Sequence, residues 1–66
     1  MKEIGIATTN GIDNRCEIEY NFETGILFNK TYNYKNKIDK IEYVRIKNNT
    51  IESFKNNGYK LSFTIV

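Results

Sequence analysis

The strongest constraint on this chain is an alternating segment that leads into a glycine-containing turn. From Cys16 to Phe22 every second residue is apolar, and the residues between them are charged or polar. Successive side chains of a strand point to opposite faces, so this spacing predicts a strand with one buried face. Glu17 and Glu19 are then predicted to lie on the opposite, water-facing side.

A second strand is predicted directly after the first. The loop ends at Gly25, and a glycine at that position favours a three-residue loop built from a type I turn and a bulge. Such a loop sets Phe22 opposite Ile26 and Tyr20 opposite Phe28. The segment 15–34 is therefore predicted to form a hairpin with one apolar face, on which the rest of the chain assembles.

Further strands are predicted on either side of this hairpin. Glu3–Ala7 alternates weakly, and Tyr59–Ile65 alternates clearly. Lys40–Lys47 is dense in β-branched and aromatic residues with both faces partly apolar, which favours a central strand over a helix of the same apolar spacing. Residues 8–14 and 34–39 are rich in turn-forming or charged residues and are predicted as loops.

A short helix is predicted between the last two of these strands. Asn49 is a suitable N-cap, and Glu52 stands three residues later at the capping-box position. At the other end Gly58 fits the left-handed position of a Schellman motif, in which Tyr59 would contact Phe54. Both ends of a helix are thus signalled by the residues that usually form them.

The alternative to this helix is a type I′ hairpin at Asn57–Gly58, but it would place Lys55 opposite Lys60, an unfavourable like-charge pair.

The fold class predicted is α+β and β-rich, with a small antiparallel sheet of about five strands built on the hairpin 15–34 and one short helix near 50–57. An all-β small barrel is the alternative fold.

The residue inventory offers little for catalysis. The chain has 66 residues, expected to form one domain over 1–66, with one cysteine and no histidine. Cys16 has no partner for an intramolecular disulfide and no histidine to deprotonate it, and zinc and copper sites lose their commonest ligand. The glycines are isolated, so no phosphate-binding loop is present. We therefore expect no enzyme activity, metal, cofactor or small-molecule substrate.

Positive charge is concentrated in one part of the chain. Residues 30–47 hold six lysines and arginines against two carboxylates, whereas residues 1–29 hold two against five. The basic part also holds tyrosines, and cations beside flat rings are typical of surfaces that bind single-stranded nucleic acid. The candidate partner-binding residues are Glu17, Glu19, Tyr34, Lys35, Lys37, Lys40, Tyr43, Arg45 and Lys47.

These features predict a small interaction protein that binds a protein or ribonucleoprotein partner, because opposed charge patches steer complementary surfaces. The small size and the wealth of asparagine, isoleucine and lysine suggest an inhibitor from a phage or other mobile element, an anti-defence protein of the anti-CRISPR kind. The alternative is a nucleic-acid-binding β-domain that uses Tyr32, Tyr34, Tyr43 and the lysines.

A cytoplasmic location without a membrane partner is expected. An unpaired thiol suits a reducing compartment. No apolar run approaches the roughly 18 residues of a membrane span, and residues 1–9 lack the features of a signal peptide.

Overall fold

The structure is a computed structural model that describes residues 1–30 and 32–66, apart from the side chains of residues 13–16. Within these described residues, five strands and one helix follow one another: β1 (Lys2–Thr9), β2 (Ile12–Asn21), β3 (Ile26–Asn29), β4 (Tyr34–Lys37), α1 (Lys40–Asn56) and β5 (Lys60–Ile65). The strands form one antiparallel sheet in the order β4-β3-β2-β1-β5. The predicted α+β class is confirmed, and because the sheet ends at two edges it is not a closed barrel.

The central hairpin forms, but its register lies one residue away from the prediction. Tyr20 pairs with Leu27 rather than with Phe28, and Ile18 pairs with Asn29. A one-residue change of register moves side chains to the opposite face of a strand. Leu27 is therefore buried in the core, whereas Phe28 lies exposed on the other face of the sheet.

The side chain of Asn21 accounts for this difference. Its Oδ1 accepts hydrogen bonds from the amides of Glu23 and Thr24, at 2.8 and 3.1 Å. Asparagine favours such local bonds at turns, so the strand ends at Asn21 and the connection is longer than three residues. The amide of Gly25 donates to the Asn21 carbonyl, and Gly25 has the predicted left-handed conformation, with φ at 74°.

A tight turn joins β1 to β2 where a longer loop was predicted. Asn10 and Gly11 have φ values of 54° and 76°, the pair of left-handed residues that a two-residue hairpin turn requires. The sequence 8–14 therefore contributes mainly to the two strands and not to a loop. The first strand extends beyond the predicted Glu3–Ala7 at both ends.

A bulge in β2 changes the position of Glu17. Gly5 pairs with Ile18 but Ile6 pairs with Cys16, which leaves Glu17 as an extra residue in the strand. Glu17 is 3% exposed. The prediction that it faces water is therefore wrong, because the alternation on which the prediction rests stops at the bulge. The predicted inward side chain of Cys16 lies outside the described residues.

The helix is longer than predicted and begins earlier. Asp39 is its N-cap, with Oδ1 accepting from the amide of Glu42 at 2.8 Å. The predicted strand at Lys40–Lys47 is wrong, since this segment forms the first half of α1. Packing against the sheet outweighs the low helix propensity of its β-branched and aromatic residues. The preceding segment 34–39, predicted as a loop, contains β4 instead.

The end of the helix confirms the predicted Schellman motif. Gly58 has a φ of 83°, and its amide donates to the Lys55 carbonyl at 3.1 Å. The amide of Tyr59 donates to the Phe54 carbonyl at 2.9 Å. The two aromatic rings meet edge to face, 6.0 Å apart. These are the bonds and the apolar contact expected of this motif.

The helix covers one face of the sheet, and the core lies between them. Tyr43 of α1 stacks on Tyr20 of β2 with their centroids 4.0 Å apart, and Ile18 and Leu27 complete the fully buried cluster. Among the described strands, the helix approaches β5 most closely. The space beneath the helix therefore widens towards β3 and β4.

Candidate functional site

The β5 side of the helix is closed by a partly buried polar cluster. Tyr43 donates its hydroxyl to Glu3 Oε1 at 2.6 Å, and Lys47 Nζ donates to the same oxygen at 2.9 Å. The Lys47 ammonium also lies 4.4 Å from the centre of the Phe63 ring. These contacts join α1 to both β1 and β5.

Burial and hydrogen bonding alter the titration of this cluster. Burial raises the pKa of Glu3, but the hydrogen bonds from Tyr43 and Lys47, together with the charge of Lys47, outweigh burial and leave that pKa below its ordinary value. Burial and the neighbouring Glu3 carboxylate both raise the pKa of Tyr43. Tyr43 and Lys47, both predicted to contact a partner, are thus engaged in joining the helix to the sheet.

The β4 side of the helix is open and forms a cleft of about 540 Å³. A volume of this size lies in the range of ligand and side-chain pockets. Its walls combine apolar and aromatic side chains with amides and hydroxyls: Leu27, Asn29, Tyr32, Tyr34, Glu42, Arg45, Ile46, Asn49, Thr50, Ser53 and Phe54. The cleft therefore brings apolar, aromatic and polar side chains together in one concave feature.

Two tyrosines stand at the sheet side of this cleft. Tyr34 pairs with Asn29 and shares its face of the sheet, and it is 38% exposed. Tyr32 is 68% exposed. Its backbone amide donates to Oδ1 of the buried Asn29 at 3.4 Å, and this hydrogen bond positions Tyr32. Both rings are accessible to a binding partner.

The helix side of the cleft carries a neutralised ion pair. Arg45 Nε donates to Glu42 Oε1 at 3.0 Å. Arg45 Nη2 also donates to this oxygen. The hydrogen bond from Arg45 lowers the pKa of Glu42, and that carboxylate in turn raises the pKa of Arg45. This wall therefore has little net charge, while Asn49 and Ser53 add polar groups one and two turns further along.

Two lysines lie on the other face of β4, the edge strand that carries Tyr34. Lys35 pairs with Phe28 and Lys37 with Ile26, which places both lysines on the sheet face away from the helix. Both are exposed, and neither forms an ion pair with any residue that the structure describes. The strand β4 thus presents an aromatic ring on one side and two cations on the other.

The remaining predicted residues lie elsewhere. Glu19 forms an ion pair with Lys2 at 3.2 Å on the sheet face away from the helix. Lys40 begins the helix and lies 5.8 Å from the centre of the Phe22 ring. Together with the buried Glu17, these residues are separate from the cleft. Of the predicted set, the structure brings Tyr34 and Arg45 together at the cleft. It places Lys35 and Lys37 on the opposite face of β4.

Apart from Arg45, the residues of the helical wall of the cleft were not predicted from the sequence. Glu42, Arg45, Asn49 and Ser53 recur at the three- and four-residue spacing of one helix face. That signal is visible only once residues 40–47 are recognised as helical. Leu27 was missed because of the one-residue change of register in the hairpin.

Comparisons with protein-family models, curated proteins and solved structures found no match. Across the described part of the chain, no group of three or more histidine, cysteine, aspartate or glutamate side chains is arranged to hold a metal ion. In the same part of the chain, no helix has the length and apolar character needed to cross a membrane.

Proposed function

We propose that this chain is a non-enzymatic binding protein that captures an extended segment of a protein partner along β4. One observation carries the proposal: the free edge of β4 lies between an open aromatic cleft on one face of the sheet and two unpaired lysines on the other. Edge strands commonly bind partners by accepting a further strand, with pockets for alternate side chains.

The backbone of β4 is arranged for this addition. The amide of Ile38 donates to the Gly25 carbonyl, and hydrogen-bonded pairs alternate along an antiparallel ladder. Lys35 and Lys37 therefore direct their backbone groups away from β3. The amide of Lys37 is accordingly bonded to the side chain of Asn36, at 2.9 Å, and not to β3. Lys35 offers both its amide and its carbonyl to an incoming strand.

This geometry specifies the chemistry of the partner segment. A residue paired with Lys35 points its side chain to the lysine face, where a carboxylate is favoured. The residues on either side of it point towards the helix, beside Tyr34 and the cleft, where aromatic or large apolar side chains bury surface. The favoured segment therefore alternates acidic residues with aromatic or apolar ones.

Selection from a library of displayed random peptides tests the proposal. We expect the purified protein to enrich peptides with this alternation. The enriched peptides, made synthetically, should bind Lys35→Glu at least about tenfold more weakly than wild type. Lys60→Glu is the matched control, because it makes the same change of net charge on the opposite edge strand and should leave binding unchanged.

Three results would contradict strand capture at β4. The first is enrichment of peptides without the alternation. The second is equal loss of binding in Lys35→Glu and Lys60→Glu, which would indicate a general charge effect. The third is undiminished binding when Tyr34→Ala removes the ring beside the cleft.

Nucleic-acid binding is the second candidate function, and the exposed rings of Tyr32 and Tyr34 near the lysines of β4 favour it. A fluorescence titration with single-stranded and duplex oligonucleotides over a salt series separates the two functions. Phosphate binding weakens steeply as salt rises. Tight, salt-sensitive oligonucleotide binding, lost in Tyr32→Ala, would replace peptide capture as the primary function.

More specifically, we propose that the protein is a cytoplasmic inhibitor from a mobile element and that its partner is a protein or ribonucleoprotein of host defence. Its support is the unpaired cysteine, the small size and the residue composition. Expression in a bacterium whose CRISPR system targets a phage tests it, with phage plating efficiency as the readout. Plating should rise with wild type and not with Lys35→Glu, and no rise with either would contradict the inhibitory role.

A further inference from the structure

The second edge of the sheet, β5, also has a free backbone. Lys2 and Val66 exchange two backbone hydrogen bonds, of 2.9 and 2.8 Å. Because bonded and non-bonded pairs alternate in an antiparallel ladder, the even-numbered residues of β5 bond to β1. Leu61, Phe63 and Ile65 consequently direct their amides and carbonyls away from the sheet. No other strand among the described residues pairs with this edge.

The free edge has a defined start and an apolar border. The amide of Tyr59 is already bonded to the Phe54 carbonyl, so the first free pair of backbone groups belongs to Leu61. Ile65 is 50% exposed, and Val66 beside it is more exposed still. A six-residue edge strand that ends in exposed apolar side chains is a template for pairing with another strand.

We infer that β5 pairs with β5 of a second copy of this chain, in antiparallel orientation about a two-fold axis at Phe63. In this register Phe63 pairs with Phe63 of the second copy, and Leu61 pairs with Ile65 in both directions. All three outward-facing residues then form bonded pairs, and the two sheets become one. Such an isologous contact closes on itself and yields a dimer.

The side chains of β5 fit a copy of themselves in this register. On the helix face, Ile65 gains contact with Leu61 of the second copy. On the other face Ser62 lies opposite Thr64, and Lys60 lies opposite Val66, so no two like charges meet. Cross-strand pairs of this kind are neutral or favourable.

The same operation on β4 is unfavourable. The outward-facing residues of that strand are Lys35 and Lys37, so a second copy would place lysines opposite lysines. Like charges directly opposite each other weaken strand pairing, and lysines on edge strands commonly prevent it. Self-association is therefore assigned to β5 and is independent of peptide capture at β4.

Sedimentation velocity on the full chain, over a concentration series up to ~1 mM, tests this assignment. We expect a reversible, concentration-dependent dimer. Two double variants at exposed positions then test the register. Ser62→Lys with Thr64→Lys sets lysine against lysine twice across the interface and should weaken the dimer roughly tenfold. Ser62→Lys with Thr64→Glu sets lysine against glutamate twice and should tighten it.

Positions 62 and 64 are exposed, so neither double variant should disturb folding. Circular dichroism should report the same fold for both variants, which separates a change in dimerisation from a folding defect. A wild-type protein that remains monomeric over the whole series would overturn the inference. Equal dimer constants for the two double variants would overturn it as well, since the two pairs of side chains would then not face each other.

Discussion

The two sides of helix α1 differ in how they meet the sheet. On the β5 side Tyr43 and Lys47 both donate hydrogen bonds to Glu3, and the Lys47 ammonium lies over the Phe63 ring. These contacts close the space between the helix and the sheet on this side. On the β4 side the helix stands away from the strands and leaves a cleft of about 540 Å³. Side chains of similar type therefore hold the fold on one side and remain exposed at an open cleft on the other.

The difference shows that burial, and not residue type, separates the residues that hold the fold from those of the proposed binding surface. Tyr43 and Tyr34 belong to the same basic, tyrosine-containing segment of the sequence. One ring is stacked and bonded, and the other is exposed at a cleft. Substitutions on the β5 side should therefore reduce stability, whereas those on the β4 side should reduce binding.

The largest effect is expected from Tyr43→Ala. This substitution removes the stacked ring and the hydrogen bond to Glu3, and we expect the free energy of unfolding to fall by about 3–5 kcal/mol. Tyr34→Ala, its matched control, should cost less than about 1 kcal/mol. Urea denaturation followed by circular dichroism measures both. Similar losses for the two tyrosines would remove the distinction between the closed and open sides.

A second large effect is expected from Gly5→Ala, also on the closed side. A Cβ atom at this position would overlap with Cγ2 of Ile18 and lie 2.8 Å from Cε2 of Phe63. We expect a loss of about 1–3 kcal/mol, because these packed side chains would have to move. Ser62→Ala, on the uncovered face, should change the same denaturation midpoint very little. If Gly5→Ala were as stable as wild type, the side chains of Ile18 and Phe63 could not be packed against Gly5 as closely as the structure shows.

A smaller, pH-dependent effect is expected at Glu3, whose side chain is 14% exposed. Because its pKa is lowered by folding, its stabilising contribution is present above about pH 4.5 and is lost as the pH falls through the folded value. Glu3→Gln should lower stability at neutral pH by about 1–2 kcal/mol, since Lys47 loses its charged partner. The decline of stability on acidification should also become shallower.

Glu42→Gln is the control for Glu3. Its pKa is likewise lowered, by the hydrogen bond from Arg45, but this pair is solvent-exposed on the open side. Thermal melts from neutral to acidic pH should therefore show a much smaller difference from wild type for Glu42→Gln than for Glu3→Gln. A wild-type pH profile retained in Glu3→Gln would contradict the role given to the Glu3 cluster.

The smallest effect on stability is expected from Tyr32→Ala. This ring is 68% exposed, so its removal should change the free energy of unfolding by no more than about 0.5 kcal/mol. The same substitution should weaken binding of the selected peptides, because the ring forms part of the cleft wall. A large loss of stability would place Tyr32 in the core and not at a binding surface.

The parts of the fold set by local patterns were predictable from the sequence. Gly25 closes the central hairpin, Gly58 ends the helix, and the alternation before Ile65 forms the last strand. In each case a glycine at a left-handed position or a simple period-two pattern determines the structure. Asp39, an equally local N-cap signal, was present in the sequence but overlooked.

Other features depend on contacts between distant residues. The helix at 40–47 depends on packing against the sheet, including the stacking of Tyr43 on Tyr20, which outweighs local propensity. The burial of Glu17 follows from a bulge that the alternating pattern does not reveal. The cleft exists because the helix lies closer to β5 than to β4, and no local pattern encodes that placement.

The most direct test of the open-sided binding surface is an NMR titration of the labelled protein with a selected peptide. Binding along β4 predicts amide shift changes concentrated at Leu27, Tyr34, Lys35, Asn36 and Ile46, with small changes in β5. Changes concentrated at Ile4, Ile6 and Phe28 would place the partner on the uncovered sheet face and contradict the account.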